Sequence, residues 1–113
     1  MFQRRRPMAD QVAASHILLM YEGSMRSTAT RSKDDALELI NKLKADIEGG
    51  ADFAALAQEH SDCPSGQSGG ELGSFGRGQM VPEFETATFA LEVGGTSDVV
   101  ETAFGYHLIT RTA

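Results

Sequence analysis

Three side chains in this sequence are equipped for chemistry: His16, His107 and Cys63. His16 lies in a short apolar run from Ala14 to Tyr21, and His107 in a second run near the other end of the chain, Tyr106 to Arg111. Cys63 stands alone between Asp62 and Pro64. An imidazole can donate or accept a proton near neutral pH, and a thiolate is a nucleophile. Three arrangements are open. Cysteine and histidine could form a thiol nucleophile with its base. His16, His107, Cys63 and Asp62 could hold a metal, although their spacing is non-local and matches no standard ligand pattern. Alternatively, strands near the two chain ends could pair in one small sheet and simply bring the two histidines together. The thiol reading gains nothing from the surroundings of Cys63, which include neither a resolving cysteine nor a recognisable nucleophile turn. Each histidine is also compatible with a satisfied core residue, and Cys63 with a small buried apolar one.

The elements that must position these groups are legible from periodicity. The two-residue alternation of a strand puts His16, Leu18 and Met20 on one face of Ala14–Tyr21, with Ser15, Ile17 and Leu19 on the other. Residues 22–31 read as a loop of small polar residues. Ser32 is a good N-cap for a helix with Asp34 and Asp35 in its first turn, stopped by Gly49-Gly50. Its apolar face is Ala36, Leu37, Ile40, Leu43 and Ile47, with Lys44 at the edge. Asp52 caps a shorter helix through His60 that buries Phe53, Leu56 and Ala57. Six of the twelve glycines fall between residues 64 and 80, around a short strand at 71–75. Pro82 opens a third helix through Ala90, with Phe84, Ala87 and Phe89 as its apolar contacts. Two strands at 97–102 and 106–111 are joined by a tight turn at Ala103-Phe104-Gly105. The order β-α-α-β-α-β-β predicts an α+β fold with an antiparallel sheet. Strands from opposite ends of the chain that pair in the middle of this sheet would bring His16 and His107 together.

Composition narrows the function class. The 113 residues allow one domain, with a tail over residues 1–12 and the folded unit over 13–113. No apolar run approaches the ~20 residues that span a bilayer. The net charge of −6 is unevenly spread: residues 1–33 carry six Lys and Arg against two acids, while residues 34–113 carry four against fourteen. So acidic a body is a poor partner for nucleic acid. Arg4-Arg5-Arg6 reads as a solvated terminal cluster, and no apolar secretory segment follows it. A single unpaired thiol fits a cytoplasmic protein, and a small acidic single domain is expected to be a monomer.

The motifs point further. Ser15-His16-Ile17-Leu18, Phe53-Ala54-Ala55-Leu56-Ala57, Ser61-Asp62-Cys63-Pro64-Ser65-Gly66, the long stretch Gly69 to Phe84 and Phe104-Gly105-Tyr106-His107-Leu108-Ile109 occur in this order. In these segments the chain resembles the parvulin-type peptidyl-prolyl cis-trans isomerases. The resemblance implies a four-stranded antiparallel sheet surrounded by helices, and rotation of X-Pro bonds in proline-containing peptides and unfolded segments. It implies neither cofactor nor metal. Leu72, Met80 and Phe84 would line a proline pocket, with Phe75 supporting its wall and Gln79 touching the substrate backbone. His16 and His107 would pair beneath it, with Thr102 and Cys63 completing their network. A non-catalytic module that holds extended proline-containing chains in the same groove is the alternative.

One parvulin subgroup selects phosphoserine or phosphothreonine before proline through a Lys and an Arg pair after the first strand. The corresponding positions here are Met20, Met25 and Arg26, with Glu22 nearby and Arg31 further on. Phosphate recognition wants several cationic donors. The chain is therefore expected to stand outside that subgroup and to lack strong phospho-dependence.

Overall fold

The computed structural model describes residues 11–25 and 27–113. The basic cluster Arg4–Arg6 and Arg26 lie outside the described residues. The elements are β1 (Gln11–Leu19), α1 (Lys33–Glu48), α2 (Phe53–His60), a 3₁₀ turn (Pro64–Ser68), β2 (Glu71–Gly76), α3 (Pro82–Phe89), β3 (Val100–Thr102) and β4 (Gly105–Arg111). This is the expected α+β order. Gln11 and Val12, assigned above to the tail, are already strand, because they pair with Gly76 and Phe75 of β2.

The sheet order is β2-β1-β4-β3, antiparallel throughout. The first and last long strands are therefore its centre, and strand alternation divides the core between two faces. Ile17 and Leu19 of β1 with Tyr106 and Leu108 of β4 meet Ala36, Ile40 and Leu43 of α1 and Ala57 of α2. Val12, Ala14 and Ile109 meet Phe75 and Phe84 on the opposite face, beneath α3. His16 and His107 share this second face and are themselves buried.

Local chemistry starts and stops the helices as expected. The Ser32 hydroxyl accepts from Asp35 N at 3.0 Å, and Asp52 Oδ2 accepts from Ala55 N at 3.1 Å. Ser32→Ala should cost about 1 kcal/mol, measurable as a shift of the urea midpoint at unchanged slope.

Two expectations need correction. Leu37 is 37% exposed, whereas Leu39 packs on the core. Both flank the Ala36–Ile40–Leu43 stripe, and the sheet covers only one flank. The expected strand over 97–102 is a strand only from Val100, preceded by a single bridge between Thr96 and Thr110. The cause is Ser97: its hydroxyl accepts from Ile109 N at 3.1 Å and donates to Asp98 O, replacing backbone partners of a regular ladder.

Candidate active site

The sheet centre assembles the site. In the β1–β4 register Leu18 faces His107 and His16 faces Ile109, so the two histidines are diagonal neighbours on one face. Their Nδ1 atoms lie 3.2 Å apart, with ring planes inclined by 22°. Thr102, at the end of β3, places Oγ1 2.7 Å from His107 Nε2 and accepts from Phe104 N at 3.2 Å. Both rings stand nearly perpendicular to Phe84, with centroids 5.4 Å away.

Counting protons assigns the tautomers. If the Thr102 hydroxyl donates to His107 Nε2, then His107 Nδ1–H donates to His16 Nδ1, and only His16 Nε2–H lacks a partner. The reverse direction leaves both the Thr102 proton and the His16 Nε2 lone pair unused. The first arrangement is preferred. His16 Nε2 is a buried ring nitrogen with no hydrogen bond, which costs about 1–3 kcal/mol. Burial lowers the His16 pKa to about 4. Burial, reinforced by the neighbouring His16, lowers that of His107 to about 3. Both imidazoles are therefore neutral near pH 7.

A second set of contacts holds Cys63 in place. β2 pairs with β1 only as far as Ser15, so the next part of that edge needs other partners. His16 N donates to Gly70 O, Leu18 N to Ser61 Oγ, and Asp62 N to Leu18 O. The link after α2 thus completes the edge of β1 and carries Cys63 over the sheet. Cys63 does not join the imidazole network, contrary to expectation. Among the described residues, the side-chain partner of its sulfur is the Ser65 hydroxyl at 3.1 Å. The histidines lie on the sheet floor, whereas Cys63 lies on the overhanging link.

Above the histidines opens a cavity of about 360 Å³, almost wholly apolar. It takes in the expected Leu72, Met80 and Phe84 together with Cys63, His16 and His107. Phe75 is buried behind Phe84, with ring centroids 6.0 Å apart, and so backs the wall. Gln79 does not line the cavity; its Oε1 accepts from Gly76 N and closes the turn between β2 and α3. Sequence reasoning did not assign Leu18, Met20, Pro64, Val81 and Phe104 to the lining. A signal existed for Leu18 and Met20, which share the alternating face of His16.

Asp62 is committed elsewhere, which removes it from any metal set: it accepts from Met20 N at 2.8 Å and pairs with Arg31. Among the described residues no group of three or more His, Cys, Asp and Glu side chains is arranged to hold a metal ion.

A four-stranded sheet of this order, with paired histidines beneath an apolar cleft, defines a class of rotamase. The PPIC-type PPIASE domain model matches residues 1–113, and the chain belongs to that family, the parvulin-type peptidyl-prolyl cis-trans isomerases. It is 46% identical over 115 residues to the Arabidopsis thaliana peptidyl-prolyl cis-trans isomerase Pin1, covering 92% of this chain and 97% of that protein. Identity is 44% over 111 residues to the isomerase ESS1 of Saccharomyces cerevisiae, covering 89% of this chain and 65% of that protein. The structure of ESS1 from Candida albicans superposes with a TM-score of 0.86 at 35% identity, covering 92% of this chain and 63% of that one. The chain is an isomerase of X-Pro bonds, and its substrates are proline-containing peptides. Pin1 and Ess1 belong to the phospho-selective subgroup, so overall similarity does not support the expectation that this chain stands apart from it.

Proposed function

We propose that this isomerase turns X-Pro bonds in unmodified peptides and unfolded segments by non-covalent stabilisation of the twisted amide, without strong dependence on phosphate. The observation that carries this reading is the apolar cavity set over two neutral imidazoles, whose lining holds no Lys or Arg; Arg31 lies in the neighbouring polar pocket beyond Met20 and is paired with Asp62.

Rotation about an X-Pro bond faces a barrier of ~18–20 kcal/mol and takes tens to hundreds of seconds. Millisecond turnover requires about 10⁵-fold acceleration, or roughly 7 kcal/mol. The planar amide is polar at oxygen and well hydrated. Twisting removes its resonance, which leaves oxygen less negative and lets nitrogen pyramidalise. A dry pocket that grips the proline ring between Leu72, Met80 and Phe84 raises the planar form relative to the twisted one. The neutral His16–His107–Thr102 chain gives that pocket a rigid floor. With both histidine pKa values far below neutrality, its role is shaping the pocket rather than transferring protons.

Support for weak phospho-dependence is local. The position of the subgroup's lysine is Met20, one of its arginine pair is Met25, and Glu22 adds negative charge. Arg31 Nη1 donates both to Asp62 Oδ2 and to Met20 O. A phosphate entering here would have to compete with an existing carboxylate.

NMR exchange on matched Ser-Pro and phosphoserine-Pro peptides tests the proposal. Exchange on the unmodified peptide should be accelerated, with phosphorylation changing kcat/KM by less than about threefold. A working phosphate clamp worth about 3 kcal/mol would instead appear as a gain of roughly 100-fold, and would overturn the reading.

A further inference from the structure

One side chain of the proline pocket belongs to neither sheet nor helix. Leu72 lies in β2 and Phe84 in α3, but Met80 lies on the link between them, residues 77–81. The geometry points to Glu85 as the positioning residue for this wall: its carboxylate holds the turn that carries Met80 against α3, and so sets how tightly the proline ring is gripped. This rests on the reading of the cavity as the isomerase site.

The sheet ladder fixes Leu72 and helical hydrogen bonds fix Phe84, but neither reaches the link. α3 also starts without a side-chain cap, because Val81 at its N-cap has no oxygen to offer. Two side chains hold the turn instead. Gln79 Oε1 accepts from Gly76 N at 2.6 Å and ties the turn to the end of β2. Glu85 Oε1 accepts from Gly78 N at 2.5 Å and ties the tip of the turn to α3.

Glu85 is well placed for this. It follows Phe84 directly, so one helix turn sends a ring into the cavity and a carboxylate back to the link. A carboxylate in the first turn of a helix is favoured by the helix dipole, and its bond to a backbone amide is charge-assisted. Its Oε2 faces Arg77 Nη1 at 3.9 Å, and the Arg77 guanidinium lies over the Phe89 ring, 4.1 Å from its centre. Arg77 is 62% exposed against 19% for Glu85, so the ion pair is weak and the amide bond is the stronger tie. Glu85 does not line the cavity; it acts through Met80. A turn released from α3 leaves only a fraction of molecules with the wall in place. Apparent affinity falls by that fraction, while the bound ring holds the wall for the molecules that have it. KM therefore rises and kcat does not fall.

The test measures kcat and KM by NMR exchange, on whichever of the Ser-Pro and phosphoserine-Pro peptides turns over faster. Glu85→Ala should raise KM by about tenfold and leave kcat within about twofold. Glu85→Gln keeps an oxygen for Gly78 N and should stay within about threefold of the wild-type KM. Water-exchange NMR should find the Gly78 amide protected in the wild type and in Glu85→Gln, and about tenfold less so in Glu85→Ala. An unchanged KM in Glu85→Ala, a loss in kcat alone, or equal rises in KM for the two variants would each overturn the assignment. So would a Gly78 amide that exchanges freely in the wild type, a result that stands even if Glu85→Ala does not fold. Met80→Ala separates the two readings. A raised KM there beside an unchanged one in Glu85→Ala overturns the positioning role alone, whereas an unchanged KM in Met80→Ala overturns the cavity as the proline site and the role with it.

Discussion

Gly70→Ala should lower the stability of this protein by about 3–4 kcal/mol, whereas Gly78→Ala, at nearly the same backbone angle, should cost only about 1–2 kcal/mol. Gly70 has φ +86° and Gly78 φ +88°, so both carry the penalty of a left-handed conformation. Their surroundings differ. A methyl group on Gly78 would meet nothing within 4 Å, but on Gly70 it would lie 2.2 Å from the His16 carbonyl oxygen. That oxygen belongs to the backbone of a central strand and cannot swing aside. Gly70 O also accepts from His16 N at 2.9 Å, so relief of the overlap breaks a contact that holds β1 beneath the site. Urea titration of the two variants should separate them, with Tm lower by roughly 10–20 °C for Gly70→Ala. Equal losses would show that the close approach to His16 is unimportant. Activity should fall beyond the stability loss in Gly70→Ala, because the strand that would shift carries the imidazole pair.

Acid should destabilise the fold steeply, from a pH at which ordinary surface carboxylates are still ionised. His16 and His107 have folded pKa values of about 4 and about 3, against 6.5 when exposed. Lowered histidine values mean that the unfolded chain binds protons more readily than the native one. The stabilisation is therefore complete above pH 6.5 and is lost as pH falls from there through about 4 for His16 and about 3 for His107. With both groups contributing, the slope approaches about 2.7 kcal/mol per pH unit. Urea midpoints between pH 7.5 and 4.5 measure it. In His107→Gln the slope should be roughly halved, even if the variant is less stable at neutral pH. The same neutrality predicts a kcat/KM that is flat between pH 6 and 8.5 for the folded enzyme. An inflection near 6.5 would mean that a histidine in the cleft ionises during turnover, and would restore proton transfer as part of the mechanism.

Much of this architecture was legible without coordinates because the decisive signals are local. Ser32 and Asp52 announce helix starts through a hydroxyl and a carboxylate that reach their own backbone. Alternation along β1 separates Ile17 and Leu19 from His16 and Leu18, and the sheet sends these two sets to opposite faces. The meeting of His16 and His107 also followed, since strands from the two chain ends pair at the sheet centre. The parvulin-like motifs then supplied the expected proline pocket.

Other features depend on partners far away in the chain. Arg31 and Asp62 are 31 residues apart, and nothing near either one shows that their charges neutralise each other beside Met20. The resemblance groups Cys63 with the histidines, but its sulfur meets Ser65 because the link after α2 hangs above the sheet. Ser97 interrupts a strand that its neighbours favour, by offering a hydroxyl to Ile109 N. Gln79 turns its amide oxygen to the nearby Gly76 N–H rather than to the cleft. By itself, then, the sequence determined the order of elements and the face of each strand, because periodicity and capping act within a few residues, whereas the imidazole pair, 91 residues apart in the chain, was an expectation that the sheet order fulfilled. Tertiary structure alone decided which polar groups were already spent, that Phe104 and Met20 join the lining of the cavity, and how deeply the histidines are buried. Those outcomes depend on which distant surfaces come into contact, and that contact sets both the solvation of a side chain and the partners left to it.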